Sequence, residues 1–362
     1  MQLVDWRIAA ATGTRLVPPG PKIGLADAVA TVESLRKCAK KADRHVAEVT
    51  GLDAAGKSAT TVVVDRPDWI RANVESFQVL ADPIIESLLA RKSGGAPSAM
   101  ATSIGSRAAG VEVGLLLSYL GTRVLGQFEL LGPPRKSGDE SAPGRLTLVA
   151  PNIVAAERGL DVDPKDFRLW VCLHEVTHRT QFAAAPWLHG HVQDLLREFL
   201  LASDLDTTAL LGRLRGAVSG LTGAVRGRND LSILELIQTP EQRVILDRLT
   251  GLMSLLEGHA DVVMDIVGPS VVPSVVTIRE RFNARREDAN PLQRFIRRFL
   301  GLEMKMKQYA EGAEFVRAVI DEVGMAGLNT VWGAADRLPT GAEIRDPKLW
   351  LERVGTPPAV SA

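Results

Sequence analysis

Cysteine is nearly missing from this chain of 362 residues, with Cys38 and Cys172 as its two copies. They stand far apart and neither belongs to a C-x-x-C pair. That argues against a disulfide framework or a cysteine zinc knuckle, and for a reducing compartment. Net charge is missing as well. Forty-three basic and 43 acidic residues cancel, so the bulk balance calls for neither nucleic acid nor an anionic membrane as partner. There is no unbroken apolar run either. The longest candidate, residues 111–131, is cut by Glu112, Arg123 and Glu129 and reads as a buried helix followed by a strand, not a membrane span. The opening twenty residues carry Asp5 and a Pro18-Pro19-Gly20 break, unlike a secretory signal, which places the protein in the cytoplasm. Also absent are a G-x-G-x-x-G after a strand, a P-loop, a nucleophile elbow, internal repeats and low-complexity blocks.

What is present is a hydrophobic content of 46%, enough for a sizeable core, carried mostly by helical periodicity. After an opening loop, residues 26–49 set Val29, Val32, Leu35, Val46 and Val49 against Lys37, Lys40, Lys41 and Arg44, an amphipathic helix. Residues 60–64 are β-branched and short. Asp65-Arg66-Pro67-Asp68-Trp69 starts a second helix to about residue 91, residues 92–98 connect, and a third helix fills 99–125. Residues 127–131 and 145–150 are strand-like, with a Gly, Pro and Ser-rich loop at 132–144 between them, which predicts a hairpin. A short helix to Gly159 follows, then one capped by Asp163-Pro164 that reaches residue 184. Helices are further predicted over 187–203, 207–221 and 239–267, the last stopping at Gly268-Pro269, with 222–229 a loop. Residues 271–276 read as extended. Further helices are expected through Arg281 and over 291–300 and 303–323, before a proline-marked tail. The fold class is mainly α (α+β), with one small β-hairpin ahead of the helix at 164–184. Residues 1–126 form an N-terminal helical region and 127–362 the region that carries the chemistry, in one compact unit.

That chemistry centres on His174-Glu175-Val176-Thr177-His178. Histidines four apart on a helix point the same way and can share one ion, with Glu175 beside them to handle a proton. Apolar Leu169, Trp170, Leu173 and Val176 dock the helix. The dull alternative is a surface helix with coincidental histidines. Two histidines need at least one further protein ligand and an open position. Candidates are Glu257, His259, Asp261, His189 and His191. Glu257 and Asp261 lie four apart on one helical face, so Glu257 can bind the metal while Asp261 accepts a hydrogen bond from the outer nitrogen of a ligand histidine. His189 and His191 follow a Pro-Trp break and read as rim residues. An ion at such a site acidifies a water and polarises a carbonyl, and Glu175 takes the proton and passes it to the leaving amine. His259 and Tyr309 are the candidate oxyanion donors, each with a packing role as its alternative. Residues 279–307 hold nine basic and four acidic residues, either a solvated helix face or a rim that recognises a substrate carboxylate or phosphate. Gly110 and Gly114, four apart, suggest close helix packing.

The stretches HEVTHRTQF (174–182), Pro186-Trp187-Leu188 and LEGHADVVMD (256–265) resemble the actinobacterial zincin-like metallopeptidases of unknown substrate, often labelled as associated with deazaflavin coenzyme biosynthesis. Further matches are Asp5-Trp6, Pro18-Pro19-Gly20-Pro21, Asp65-Arg66-Pro67-Asp68-Trp69 with Asn73 and Ser76-Phe77, Val124-Leu125-Gly126-Gln127-Phe128, and Lys305 with Gln308-Tyr309. The resemblance spans nearly the whole chain. It implies a zincin-like helical metallopeptidase fold, a Zn2+ site with His174 and His178 as ligands, and Glu175 as base. The Glu257-to-Asp261 pattern is similar to the glutamate helix of gluzincins, at a longer separation. The expectation is a zinc metallopeptidase acting on a peptide or small amide substrate, of unknown oligomeric state. A non-catalytic zincin-fold scaffold with a structural metal is the main alternative. A di-iron carboxylate bundle is disfavoured, because a second E-x-x-H is absent.

Overall fold

The computed structural model describes residues 3–52, 61–91, 99–129, 145–202, 240–287 and 302–355; the side chains of 84, 86–91, 99–103, 200, 240, 285–287 and 302–309 are not among those described. The predicted connections at 92–98 and 132–144, the helices at 207–221 and 291–300, the loop at 222–229 and the end of the tail lie outside these residues. In order, the elements are α1 (Trp6–Leu16), α2 (Leu25–Thr50), β1 (Thr61–Val64), α3 (Arg66–Arg91), α4 (Ala99–Leu120), β2 (Gly126–Phe128), β3 (Leu146–Val149), α5 (Ala150–Leu160), α6 (Pro164–Ala184) and α7 (Trp187–Leu201). After these come α8 (Pro240–Val271), α9 (Val275–Glu287), α10 (Leu302–Leu328), two short 3-10 turns, α11 (Gly341–Arg345) and α12 (Pro347–Val354).

Helix α6 runs through the middle. Its start is fixed locally: Asp163 accepts hydrogen bonds from the backbone of Lys165 at 2.9 Å and Asp166 at 3.0 Å, and Pro164 occupies the first helical position. On one side α2 presents Leu35, Ala39, Ala42 and Val46, a stripe spaced by three and four residues and almost wholly buried. Leu35 and Val46 each contribute about 1.5–3 kcal/mol by leaving water. Leu146 and Leu148 of β3, Phe167 and Leu173 of α6, and Val263 and Val267 of α8 share that core. A second core joins the far end of α6 to α7, the other flank of α8, α10 and the C-terminal turns. A third lies among α1, α3 and α4. Helix α8 therefore sits between two cores.

The predicted hairpin is present, with β2 and β3 antiparallel and Phe128 opposite Leu146. Glu129 takes hydrogen bonds from Arg145 and from Thr147, the latter at 2.5 Å, and so holds the two ends of the hairpin loop together. The sheet also has a third strand. β1 pairs parallel to β3, giving the order β1-β3-β2, so backbone pairing and the α2–α6 core both cross the boundary placed at 126/127. Four further differences from the sequence reading have local causes. The opening segment contains α1, because Asp5 caps it through the backbone N–H groups of Arg7 and Ile8. Helix α4 stops at Leu120, where Gly121, Thr122 and Arg123 turn the chain into β2. Helix α8 continues through Pro269 to Val271, since a proline near the end of a helix interrupts few hydrogen bonds. The segment after it is a tight turn into α9, with the Val275 N–H on the Val272 carbonyl. The packing expected of Gly110 and Gly114 is found: a side chain at either would meet the α1 backbone, at the Asp5 and Ala9 carbonyls.

Candidate metal centre

On α6, His174 and His178 stack one turn apart with their Nε2 atoms 3.2 Å from each other. Glu257, on α8, brings its carboxylate to both, at 3.6 Å from His174 Nε2 and 3.8 Å from His178 Nε2. Among the described residues these three form the group able to hold an ion, with one ligand atom from each inside a 4.8 Å span. Ligand atoms about 2.0–2.1 Å from a tetrahedral ion stand about 3.3 Å apart, so this donor set fits a zinc ion with little movement. The side chains keep 27%, 14% and 21% exposure for His174, His178 and Glu257. The set is therefore reachable from outside and not sealed like a structural site.

A fourth residue, missed in the sequence, sets the proton positions. Gln181 is fully buried and its side-chain N–H group donates to the Leu256 carbonyl at 2.8 Å. That acceptor fixes which end of the amide is nitrogen. Its oxygen therefore faces His178 Nδ1, at 3.0 Å. His178 must carry its proton on Nδ1 and leave Nε2 free as a ligand lone pair. The same Gln181 nitrogen lies 3.0 Å from His259 Nδ1, which accepts. Glutamine at i+3 from a ligand gives no signal by itself; only the carbonyl preceding Glu257 reveals what it does.

Glu175 lines the same cleft as His174. It is 8% exposed and lies under the edge strand β2, close enough that a Cβ on Gly126 would come within 2.5 Å of its carboxyl carbon. The absence of a side chain at 126 is what lets the strand pass over it. Burial, opposed by the positive influence of His178 and reinforced by the charge of Glu257, pushes its pKa up to about 7. A carboxylate poised there is suited to exchanging protons near neutrality.

The sequence profile of the zincin-like metallopeptidases matches residues 4–351. The chain belongs to that family. A search of curated proteins returned no match. Among solved structures, the zincin-like chain is similar to a proposed hydrolase with a novel fold from Chloroflexus aurantiacus, with 30% identity and a TM-score of 0.68 over 97% of this chain and 98% of that one.

Other predicted site residues of this zincin-like chain fall as follows. His259 is fully buried, beside Gln181 and 5.5 Å from the Trp332 ring, and burial followed by the charge of His178 lowers its pKa to about 3. It is not among the residues that line the cleft, and its Nδ1 accepts from Gln181. Tyr309 falls on α10, where its side chain is outside the described ones. Asp261 lines the cleft alongside His174, while the outer nitrogen of His178 is held by Gln181. His189 and His191 lie on α7, half-buried and apart from the ligand group. The cleft has a volume of about 440 Å³ and is walled by His174, Glu175, Trp170 and Phe282 together with residues of α8 and α10. From the basic stretch at 279–307, Arg279 lines this cleft. Arg281 turns away to the end of α5, donating to the Leu160 carbonyl. No helix among the described residues is long and apolar enough to cross a membrane.

Proposed function

We propose that this chain is a zinc-dependent amide hydrolase of the glutamate-zincin type, acting on a peptide or small peptide-like molecule. The observation that supports this most is a buried carboxylate, Glu175, beside a partly open His-His-Glu donor set, with Glu175 and His174 both lining a cleft. His174, His178 and Glu257 would hold the ion, which when bound polarises a carbonyl and acidifies water. The chain supplies the rest. Gln181 holds His178 in the tautomer that leaves Nε2 free. Glu175 takes a proton from the attacking water and hands it to the departing amine, an exchange helped by a pKa raised by burial. Trp170 and Phe282, ring centroids 5.1 Å apart, form an apolar wall that limits water around the bond to be cut.

The test is Glu175→Gln, assayed on a diverse pool of short peptides by mass spectrometry, with zinc counted in the same sample. Zinc content should stay at the wild-type level while cleavage falls by about 10²-fold or more. Equal cleavage by the variant would remove Glu175 from the chemistry. A strong fall in melting temperature on chelation, with no cleavage by wild type, would favour the scaffold reading, in which the metal is structural.

A further inference from the structure

Beyond the metal ligands, the cleft wall holds two arginines drawn together by one carboxylate. Asp265, on α8, pairs through Oδ1 with Arg279 of α9 and through Oδ2 with Arg317 of α10, both at 2.5 Å. Arg279 also reaches back along α8 to the Asp261 carbonyl, at 3.4 Å. All three residues line the same 440 Å³ cleft as His174 and Glu175. Neither guanidinium is consumed by the pairing. Each has five N–H donors, and the side chains retain 35% and 48% exposure. Two guanidiniums brought this close would repel without Asp265; with it, the group carries a net positive charge and presents its remaining donors as a fork suited to a carboxylate.

We infer that Arg279 and Arg317, held by Asp265, form an anion subsite that recognises a carboxylate on the substrate. The placement limits how far that carboxylate lies from the scissile bond. Asp265 follows Glu257 by eight residues, about 12 Å along the helix axis, and 12 Å is spanned by an extended peptide of about three to four residues. The substrate class is then a short peptide, or peptide-like amide, with a free carboxylate no more than about four residues beyond the bond cut. Asp261, one turn before Asp265, and Glu314, three residues before Arg317, line the same wall and oppose an anion. A carboxylate is therefore held here by direct hydrogen bonds from the two guanidiniums and not by the net charge of the cleft. The peptide character of the ligand rests on the proposed hydrolase reading; the anion subsite itself does not.

The experiment uses the full-length zinc-loaded protein and three pools of N-acetylated tri- to pentapeptides: one with free C-termini, one with amidated C-termini, and one amidated but carrying a single internal Glu. Binding is read by saturation-transfer NMR on the Glu175→Gln protein, and cleavage by mass spectrometry on wild type. Binding of the free-acid pool should exceed that of the amide pool by about tenfold, the low end for charge-assisted hydrogen bonds at a partly exposed site. Arg317→Gln, and separately Arg279→Gln, should bring the acid-to-amide ratio toward one, and Arg317→Lys should keep part of it. If the Glu-bearing pool matches the free acids, the subsite takes side-chain carboxylates too; if it matches the amides, the subsite reads the chain terminus. Equal binding of acids and amides, no binding of any pool, an amide preference, or a ratio unmoved in both Gln variants would each overturn the subsite. Should one variant fail to fold, the wild-type ratio and the other variant still decide. An acid preference in binding with no cleavage of any pool leaves the subsite standing and counts against the hydrolase reading, whereas cleavage without an acid preference does the reverse.

Discussion

Helices α6 and α8 make the same kind of contribution to the site, donor side chains able to hold an ion, but are held in place by different means. Helix α6 is positioned by its own sequence: a capping aspartate, a proline at its start, and apolar residues buried against α2 and β3. Helix α8, packed into two cores by its apolar residues, is positioned in addition by the absence of side chains. Gly258, next to the ligand Glu257, packs directly on Gly312 of α10, and a Cβ on either would overlap the backbone of the other helix. Further along, Gly251 does the same against Pro339 and Thr340. One half of the site is therefore set by what its helix carries. The other is set by what its helix and its neighbour leave out.

The largest effect should come from separating the two contributions outright. Glu257→Ala keeps α6 and both histidines intact, so competition with a chromophoric chelator should show a zinc affinity reduced by more than the 10- to 100-fold typical of losing an outer hydrogen-bond partner. The apo protein should melt within about 1 kcal/mol of wild type, since the side chain is partly exposed. Near-wild-type zinc affinity would mean that α8 supplies no ligand, and the comparison would collapse.

Next in size is Gly312→Ala. A methyl group there must push α10 off α8 at the Ser254 carbonyl, and overpacking against backbone costs about 3 kcal/mol. Denaturant unfolding would measure that loss. Zinc affinity should fall with it, because Glu257 moves with α8. A zinc affinity unchanged alongside a lowered stability would show that the glycine contact holds the fold without setting the ligand.

Gln181→Leu tests a side chain that joins the halves by hydrogen bonds. It removes the acceptor that keeps the His178 proton on Nδ1 and the donor to the Leu256 carbonyl, and an about 10- to 100-fold weaker zinc affinity is expected. A purely structural role would instead lower the melting point equally in the apo and zinc-loaded forms. A larger zinc-induced rise in melting temperature for wild type than for the variant supports the tautomer role.

These substitutions also mark how far the sequence could be read. The α6 half was legible, because the Asp-Pro cap, the 3.6-residue period and the four-residue histidine spacing are all local rules. The approach of Glu257 was legible more indirectly, through the requirement for a third donor and the spacing of Glu257 and Asp261 on one face; the structure brings its carboxylate to both histidines. Four features were not legible. Helix α1 is rich in Ala, Thr and Gly, and its stability depends on Gly110 and Gly114 letting α4 approach it. Strand β1 shows only four β-branched or apolar residues until β3 is available as a parallel partner. Gln181 and Gly126 act through groups that arrive from elsewhere in the chain, a backbone carbonyl and a buried carboxylate, and carry no local pattern.

The smallest effect expected distinguishes the two halves by pH. The outer end of α8 is braced by α11: Asp247 accepts from the Gly341 N–H at 3.2 Å, and α11 itself is closed by a capping box in which Thr340 and Glu343 bond each other's backbone. Burial alone would push the Glu343 carboxyl up, but hydrogen bonds from Arg353 and from the Thr340 backbone, together with the charge of Arg353, leave its pKa below the ordinary carboxylate value. A carboxylate with a depressed folded pKa binds fewer protons folded than unfolded, so its stabilisation is present above the unfolded pKa and is lost as pH falls through the folded one. Acid should therefore loosen the α11 brace at pH values below about 4.3, the ordinary Glu value, while the α2–α6 core, held by apolar burial beside one Asp43–Arg179 ion pair, responds less. Hydrogen exchange of the α11 and α8 amides against those of α2, taken from about pH 6 down to about pH 3 and corrected for intrinsic rates, measures this directly. Glu343→Gln should remove the difference in pH response between them. If α8 and α2 open together at every pH in both proteins, the brace does not act separately from the core, and the two helices owe their positions to one cooperative unit.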